Sequence, residues 1–205
     1  MADPPADASR APGAAPRDPP RGPVVEAVPE GDDRARLVCP DCGFIRYDNP
    51  KIVVGSVITH DGRFLLCRRA IQPRIGYWTL AAGYLELGET PADGARREAW
   101  EEACARIDID ALLGVYHIPR ISQVQLIYRA RLLGGAFAAG PESQAVQLFR
   151  WDEIPWTEIA FPSVRWALNH FREVEGTTEF APRINPSEDY GGESGDAGSK
   201  RDSAG

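Results

Sequence analysis

The sequence predicts an α/β fold, a mixed β-sheet covered by helices on its faces, and three observations carry that expectation. Extended runs rich in β-branched and apolar residues recur along the middle of the chain. Two segments instead show helical spacing. The strands outnumber the helices and interleave with them, an arrangement that favours a sheet with helices packed against it.

Taken in order, "KIVVGSVITHDGRFLLCRR" contains two apolar runs joined at His60-Asp61-Gly62, a hairpin signal. "YWTLAAGYLEL" is a further extended stretch, and "LLGVYHI" and "QVQLIYRARLL" read as two more strands. After the loop "GGAFAAGPESQ" comes the strand "AVQLFRW". Pro162 and Ser163 open an amphipathic helix, with Val164, Ala167, Leu168 and Phe171 on one side. The other helix starts at Thr90, a good N-cap, followed by Pro91 at the first helical position and Asp93 at the third. Ala92, Ala95, Ala99 and Ala103 make a narrow face that can approach a sheet closely, and the helix is expected to reach about Cys104.

Composition sets the outer bounds. The 205 residues carry a formal charge of −7, which argues against nucleic acid or an anionic membrane as a partner. No apolar run approaches the roughly 20 residues that span a bilayer. The stretch from Met1 to about Pro23 has no secretory h-region and reads as a disordered tail, as does the polar, Gly/Ser-rich stretch from Asn185 to Gly205. Four cysteines without a signal sequence suggest reduced thiols and a cytoplasmic protein. The expected organisation is therefore a tail over 1–23, a short element over 24–50, a main domain over 51–175 and a second tail over 185–205.

Glu98, Glu101 and Glu102 crowd within five residues of the first helix, roughly 110° around from the alanine face. Like charges at these spacings cost an isolated helix about 0.2–0.5 kcal/mol per pair. A solvated acidic face is the ordinary meaning of such a run. The alternative is a cluster of hard oxygen ligands suited to Mg²⁺ or Mn²⁺. The surroundings decide between them: a glycine, a capped turn and an arginine stand at set offsets from the acids.

"GYLELGETPADGARREAWEEACA" resembles the signature box of the Nudix hydrolases, G-x5-E-x7-R-E-U-x-E-E-x-G-U, with U a bulky aliphatic residue. Gly83, Glu89, Arg97, Glu98, Glu101 and Glu102 match in register. Ala99 and Ala105 stand where bulkier aliphatics are common. Cys104 replaces the glycine that ends the helix, which implies a slightly longer helix.

The resemblance implies a Nudix α/β/α sandwich that hydrolyses a nucleoside diphosphate linked to another moiety, with ADP-ribose or FAD as the leading substrate and AMP as a product. It places Glu98, Glu101 and Glu102 as ligands of Mg²⁺ or Mn²⁺, joined by the backbone carbonyl of Ala82. Glu142, in "GPES", would complete the acidic set or serve as the base. Gly83 would let the chain pass close to the ions, and Arg97 would pair with Glu89 to fix the loop. Arg68, Arg69, Arg74 and Arg120 are candidates to meet the substrate diphosphate. Trp78, Tyr84 and Tyr116 are candidates to stack on a ring, with core packing as the alternative for each. Trp78, Tyr84, Arg69 and Arg120 form the expected binding set. Other nucleotides, and a non-catalytic sensor of ADP-ribose, are the alternative functions; the intact glutamates favour an enzyme.

"VPEGDDRARLVCPDCGFIRYDNPKIVVG" resembles the lead-in of a Nudix subgroup with an N-terminal zinc ribbon of two CxxC knuckles. Cys39 and Cys42 supply one knuckle and no cysteine lies upstream, so the four ligands of a closed Zn²⁺ site are missing. The leading reading is a degenerate ribbon; a Zn²⁺ shared between two subunits of a homodimer is the alternative. His60, His117, His170, Cys67 and Cys104 lie in expected core elements and are poor substitutes.

Overall fold

A computed structural model describes residues 22–186, and the chain divides into two units, 1–49 and 50–205. The first unit is a three-stranded antiparallel sheet in the order β1 (Val25–Ala27), β2 (Arg36–Val38), β3 (Ile45–Arg46). Asp32 and Arg36 brace its long connection with an ion pair at 3.0 Å.

The second unit is built on a seven-stranded sheet. Its main path runs β10 (Ser143–Phe149), β5 (Arg63–Arg69), β4 (Lys51–His60), β9 (Gln123–Leu132), β8 (Ile107–Ile118). Two short strands, β6 (Trp78–Thr79) and β7 (Ala81–Tyr84), pair with β5 and β4 respectively. Among the named strands of the described residues β4 and β9 pair in parallel and the other strand pairs are antiparallel, while isolated parallel bridges join Trp78 to Ile159 and Gly114 to Arg183. The β4–β5 connection is the two-residue turn Asp61-Gly62, with φ of 48° and 69°, as the Asp-Gly pair predicts.

The sheet is covered on both faces, which is why β4 and β5 read as continuous apolar runs rather than as alternating ones. Successive residues of β5 go to opposite sides: Phe64 and Leu66 join one core cluster, Leu65 and Cys67 the other. The first cluster is closed by α2 (Pro162–Val174) through Val164, Ala167, Leu168, Phe171 and Val174. The second is closed by α1 (Pro91–Ala103), whose Ala95, Ala99 and Ala103 are fully buried. This is the α/β/α sandwich expected from the sequence.

Thr90 caps α1 as expected, its hydroxyl accepting the Asp93 N–H at 3.2 Å. The far end corrects an expectation. The helix stops at Ala103, and Cys104 adopts the left-handed conformation, φ 46°, in the place of the missing glycine. The Cys104 N–H donates to the Trp100 carbonyl at 2.8 Å, the five-to-one bond of a left-handed helix ending, and the Ala105 N–H reaches back to the Ala99 carbonyl at 3.1 Å. A side chain held there costs about 1 kcal/mol. Cys104→Gly is therefore expected to raise stability by about 1 kcal/mol, read from the urea midpoint at unchanged slope.

Beyond α2 the chain returns to the sheet. Arg129 donates to the carbonyls of Val174 and Thr177, and residues Arg183 and Asn185 bond to β8. The expected tails lie outside the described residues except at Gly22, Pro23, Asn185 and Pro186. Asn185 accepts from the His117 N–H at 3.0 Å and donates to the His117 carbonyl at 2.8 Å, so it belongs to the packed fold. No helix among the described residues is long and apolar enough to cross a membrane.

Candidate active site

The site forms where β7 delivers its chain against the acidic side of α1. Gly83 faces Glu98 so closely that a Cβ there would stand 2.4 Å from the carboxylate, so a side chain at this position would displace the Glu98 carboxylate. The neighbouring Ala82 N–H donates to Glu102 at 3.2 Å. Glu98 and Glu102 are 7% and 6% exposed, whereas Glu101 faces solvent. The expected trio is thus split, with two acids inside and one outside.

Arg97 organises the loop that precedes the helix. Its guanidinium grips Glu89 with two parallel bonds of 2.8 and 3.1 Å and also donates to the Tyr84 carbonyl at 2.9 Å. The same side chain donates to Glu98 at 2.7 Å and to Glu101 at 2.8 Å. Glu89 also accepts the Glu86 N–H at 2.7 Å. The Arg97 guanidinium, followed by that N–H, holds the Glu89 carboxyl down at about 2. The pair therefore stays ionised at any working pH and pins the loop to the helix. Lysine lacks the planar fork that makes these bonds. Arg97→Lys is expected to lower turnover at least tenfold, checked by kcat at saturating substrate.

Electrostatics distinguish the buried acids. Burial raises the Glu98 pKa, with Arg97 opposing it and Glu101 and Glu142 adding to it. Burial pushes Glu102 further, up to about 8; the Ala82 N–H and Arg69 oppose the rise and Glu98 and Glu142 add to it. Two carboxylates held together out of water lack a positive charge sufficient for both. A divalent cation supplies that charge, so the donor set fits one. Among the described residues, no three His, Cys, Asp or Glu side chains already converge as one ligand set.

Glu142 reaches this region on a loop clamped to the end of α1. The Ala138 N–H donates to the Ala103 carbonyl at 2.9 Å and the Gly140 N–H to the Glu102 carbonyl at 3.0 Å. Gly140 sits so tightly that a Cβ would lie 1.7 Å from the Glu101 carbonyl oxygen. Glu142 is exposed, and its own carbonyl accepts the Ala70 N–H at 2.8 Å. Gly140 escapes the sequence reading as a site-building residue; the Gly-Pro pair marks only a loop.

The expected binding residues divide. Arg69 lies beside the acids: it is paired with Ser143 in the sheet, and its charge lowers the Glu102 pKa. Its guanidinium also donates to the Pro73 and Gln72 carbonyls at 2.8 and 3.3 Å. Tyr84 is 51% exposed, with the Lys51 ammonium 5.0 Å from its ring centre. Arg120 is exposed in the turn between β8 and β9, three residues before Gln123, whose amide lies 3.4 Å from the Tyr84 hydroxyl.

Trp78 is in a different environment, 7% exposed and edge-on to Phe149 at 4.9 Å. This placement corrects the stacking role: the ring is part of the core. Tyr116 is likewise fully buried, with its hydroxyl 2.8 Å from His170. Arg68 bonds to the Gly76 carbonyl, and Arg74 lies over the Tyr77 ring. Cys67 is a buried strand thiol, pushed up in pKa by its burial.

The sandwich and this loop–helix module define a domain of the hydrolase class. The chain belongs to the Nudix family: the NUDIX domain model matches residues 49–167, and the Nudix N-terminal zinc-ribbon model matches 22–48. A crystal structure of a NUDIX hydrolase from Nitrosomonas europaea is 44% identical, with a TM-score of 0.74 over 78% of this chain and 92% of that one. A MutT-like protein of Streptomyces ambofaciens is 42% identical over 102 residues, 50% of this chain and 64% of that protein. An ADP-ribose pyrophosphatase of Methanocaldococcus jannaschii is 28% identical over 63% of this chain and 78% of its own length.

Proposed function

We propose that the chain hydrolyses the pyrophosphate bond of a nucleoside diphosphate linked to another moiety, ADP-ribose or FAD, using Mg²⁺ or Mn²⁺ and releasing AMP. The observation that carries this reading is the burial of Glu98 and Glu102 against Gly83 with too little positive charge beside them. The similarity to an ADP-ribose pyrophosphatase supports the substrate class.

Glu98, Glu101, Glu102 and Glu142, with the Ala82 carbonyl, would hold the cation. When bound it offsets carboxylate and diphosphate charge and polarises the phosphoryl oxygens. Arg97 and Glu89 keep the loop in register, so that Gly83 stays against Glu98. Arg69 and Arg120 would bind the diphosphate, and exposed Tyr84 offers a face for a ring.

Water attacks phosphorus: a new P–O bond forms, the bridging P–O bond breaks, and the leaving phosphate takes the electron pair. The water's proton passes to Glu98 or Glu142, and comparing the pH–rate profiles of Glu98→Gln and Glu142→Gln separates the two. The test of the activity is a panel of ADP-ribose, FAD, a dinucleoside polyphosphate and a damaged nucleoside triphosphate, with products identified. AMP plus a phosphorylated partner, formed only with divalent metal, is the expected result. Tight ADP-ribose binding without AMP release would make the chain a sensor instead.

A further inference from the structure

Beside Tyr84 the sheet carries a partly open surface that the proposed chemistry does not use. In β9, Gln123, Gln125 and Ile127 alternate onto one face, and Ile127 lies in the core that α2 closes. In β4, Lys51, Val53 and Val57 share that face, with Val57 in the same core. The register sets the rows. Tyr84, Val53, Gln125 and Tyr116 stand side by side across β7, β4, β9 and β8, and Lys51 pairs with Gln123 in the next row. Tyr116 is buried against Trp166 and His170 of α2, whereas Val53, Gln123 and Gln125 are half-buried and Tyr84 is exposed. The helix therefore covers one end of the row and leaves a polar floor at the other, one residue from Gly83.

The polar groups of this floor are joined in one direction. The Gln125 amide nitrogen donates to the Gln123 amide oxygen at 3.4 Å, and the Gln123 nitrogen donates to the Tyr84 hydroxyl at 3.4 Å. The chain uses one N–H of each amide. It leaves the Gln125 oxygen as an acceptor and one N–H on each glutamine as a donor. The Lys51 ammonium, 5.0 Å from the Tyr84 ring centre, steadies the phenol ring by a cation–π contact and brings a positive charge beside it.

A ring next to an amide that offers an acceptor and a donor together suits a purine. Glutamine pairs in this two-pronged way with adenine, accepting from the exocyclic amine and donating to the adjacent ring nitrogen. Aromatic rings stack on any base, so they supply affinity without choice. Choice comes from the amide. Hypoxanthine carries an oxygen where adenine carries the amine, so the Gln125 oxygen would face another acceptor. Rotating that amide half a turn would relieve the repulsion but would break the bond to Gln123.

We propose that Gln125, held in orientation by Gln123 and Tyr84, reads the adenine ring of the substrate while Tyr84 stacks on it. The inference rests on the hydrolytic reading and narrows its substrates to adenosine diphosphate derivatives, which ADP-ribose and FAD both are. Discrimination is expected to be about tenfold, rather than the roughly 10⁴-fold of a rigid polar site, because bonds of 3.4 Å resist rotation of the amide only weakly.

AMP and IMP are titrated into the full chain with Mg²⁺ and followed by calorimetry, a measurement that needs no turnover. AMP should bind about tenfold more tightly than IMP. Gln125→Leu and Gln123→Leu should each bring the two within about threefold, the first by removing the reader and the second by freeing its amide to rotate. Tyr84→Leu should weaken AMP binding about tenfold by removing the stack. Equal binding of AMP and IMP by the wild type would overturn the proposal. So would a preference that survives in both glutamine variants, AMP binding unchanged in Tyr84→Leu, or binding of neither nucleotide. Initial rates on ADP-ribose and its hypoxanthine counterpart separate this inference from the hydrolytic reading. A preference for AMP in a chain that cleaves neither compound would remove the hydrolysis and leave the adenine site standing. Cleavage of both with equal kcat/KM would do the reverse.

Discussion

Glu102→Gln is expected to lower turnover by about 10²–10³-fold while stabilising the metal-free protein at alkaline pH. Both effects come from one cause. The Glu102 carboxyl is 6% exposed and its pKa is lifted from 4.5 to about 8, first by burial. Its folded value lies above its unfolded value, so the folded state binds the extra proton between them. The associated stability is complete below about 4.5 and is lost as pH rises to about 8. At ~1.4 kcal/mol per pH unit this amounts to roughly 3–5 kcal/mol in the metal-free chain.

Urea melts in chelator at pH 5.5 and 8.5 read the loss directly. The wild type should be weaker at the higher pH, and the glutamine variant should show a shallower decline, with Glu98 supplying the remainder. Adding Mg²⁺ at pH 8.5 should restore the wild type, because the cation binds only the deprotonated folded site, and should do far less for the variant. Near-normal turnover in Glu102→Gln would remove the carboxylate from the reaction. An unaltered pH slope would show that burial at this position does not control the titration.

Gly140→Ala is expected to cost about 3 kcal/mol of stability and to remove most of the activity with it. The added methyl meets the Glu101 carbonyl oxygen at 1.7 Å, a backbone atom in a helix that cannot turn aside. The loop must lift, breaking the bonds from Ala138 to Ala103 and from Gly140 to Glu102. Glu142 then withdraws from the buried acids. Glu142→Gln separates position from chemistry: it should keep the melting midpoint and lose turnover, whereas Gly140→Ala should lose both and need more Mn²⁺ for half-maximal rate. A Gly140→Ala protein as stable as the wild type would show that the loop is not clamped to the helix.

What could be read from the sequence was what neighbouring residues decide among themselves. Thr90 and Pro91 start a helix, Asp61-Gly62 turns a hairpin, and the offsets from Gly83 to Glu102 are fixed by loop and helix geometry. What could not be read depends on distant partners. Trp78 has the composition of a stacking residue until Phe149 packs edge-on beside it. Cys104 could extend a helix or end one; the returning Ala105 N–H accompanies the ending. Burial divides Glu98 and Glu102 from Glu101, although all three have the same chemistry and sit within five residues. Gly140 holds its place because of a carbonyl 39 residues earlier, at a spacing no local pattern encodes.

The short run from Arg183 to Asn185 bears on where the protein can be cut. It lies alongside β8, the outermost strand on that side of the main path, and takes up backbone groups of Leu113, Val115 and His117. A strand left with those groups bare is a template on which another chain can add, the usual start of aggregation. Trimming at the limit of the family match, residue 167, would strip this selvedge from the sheet and sever α2 midway. The minimal self-sufficient body therefore reaches at least to Asn185.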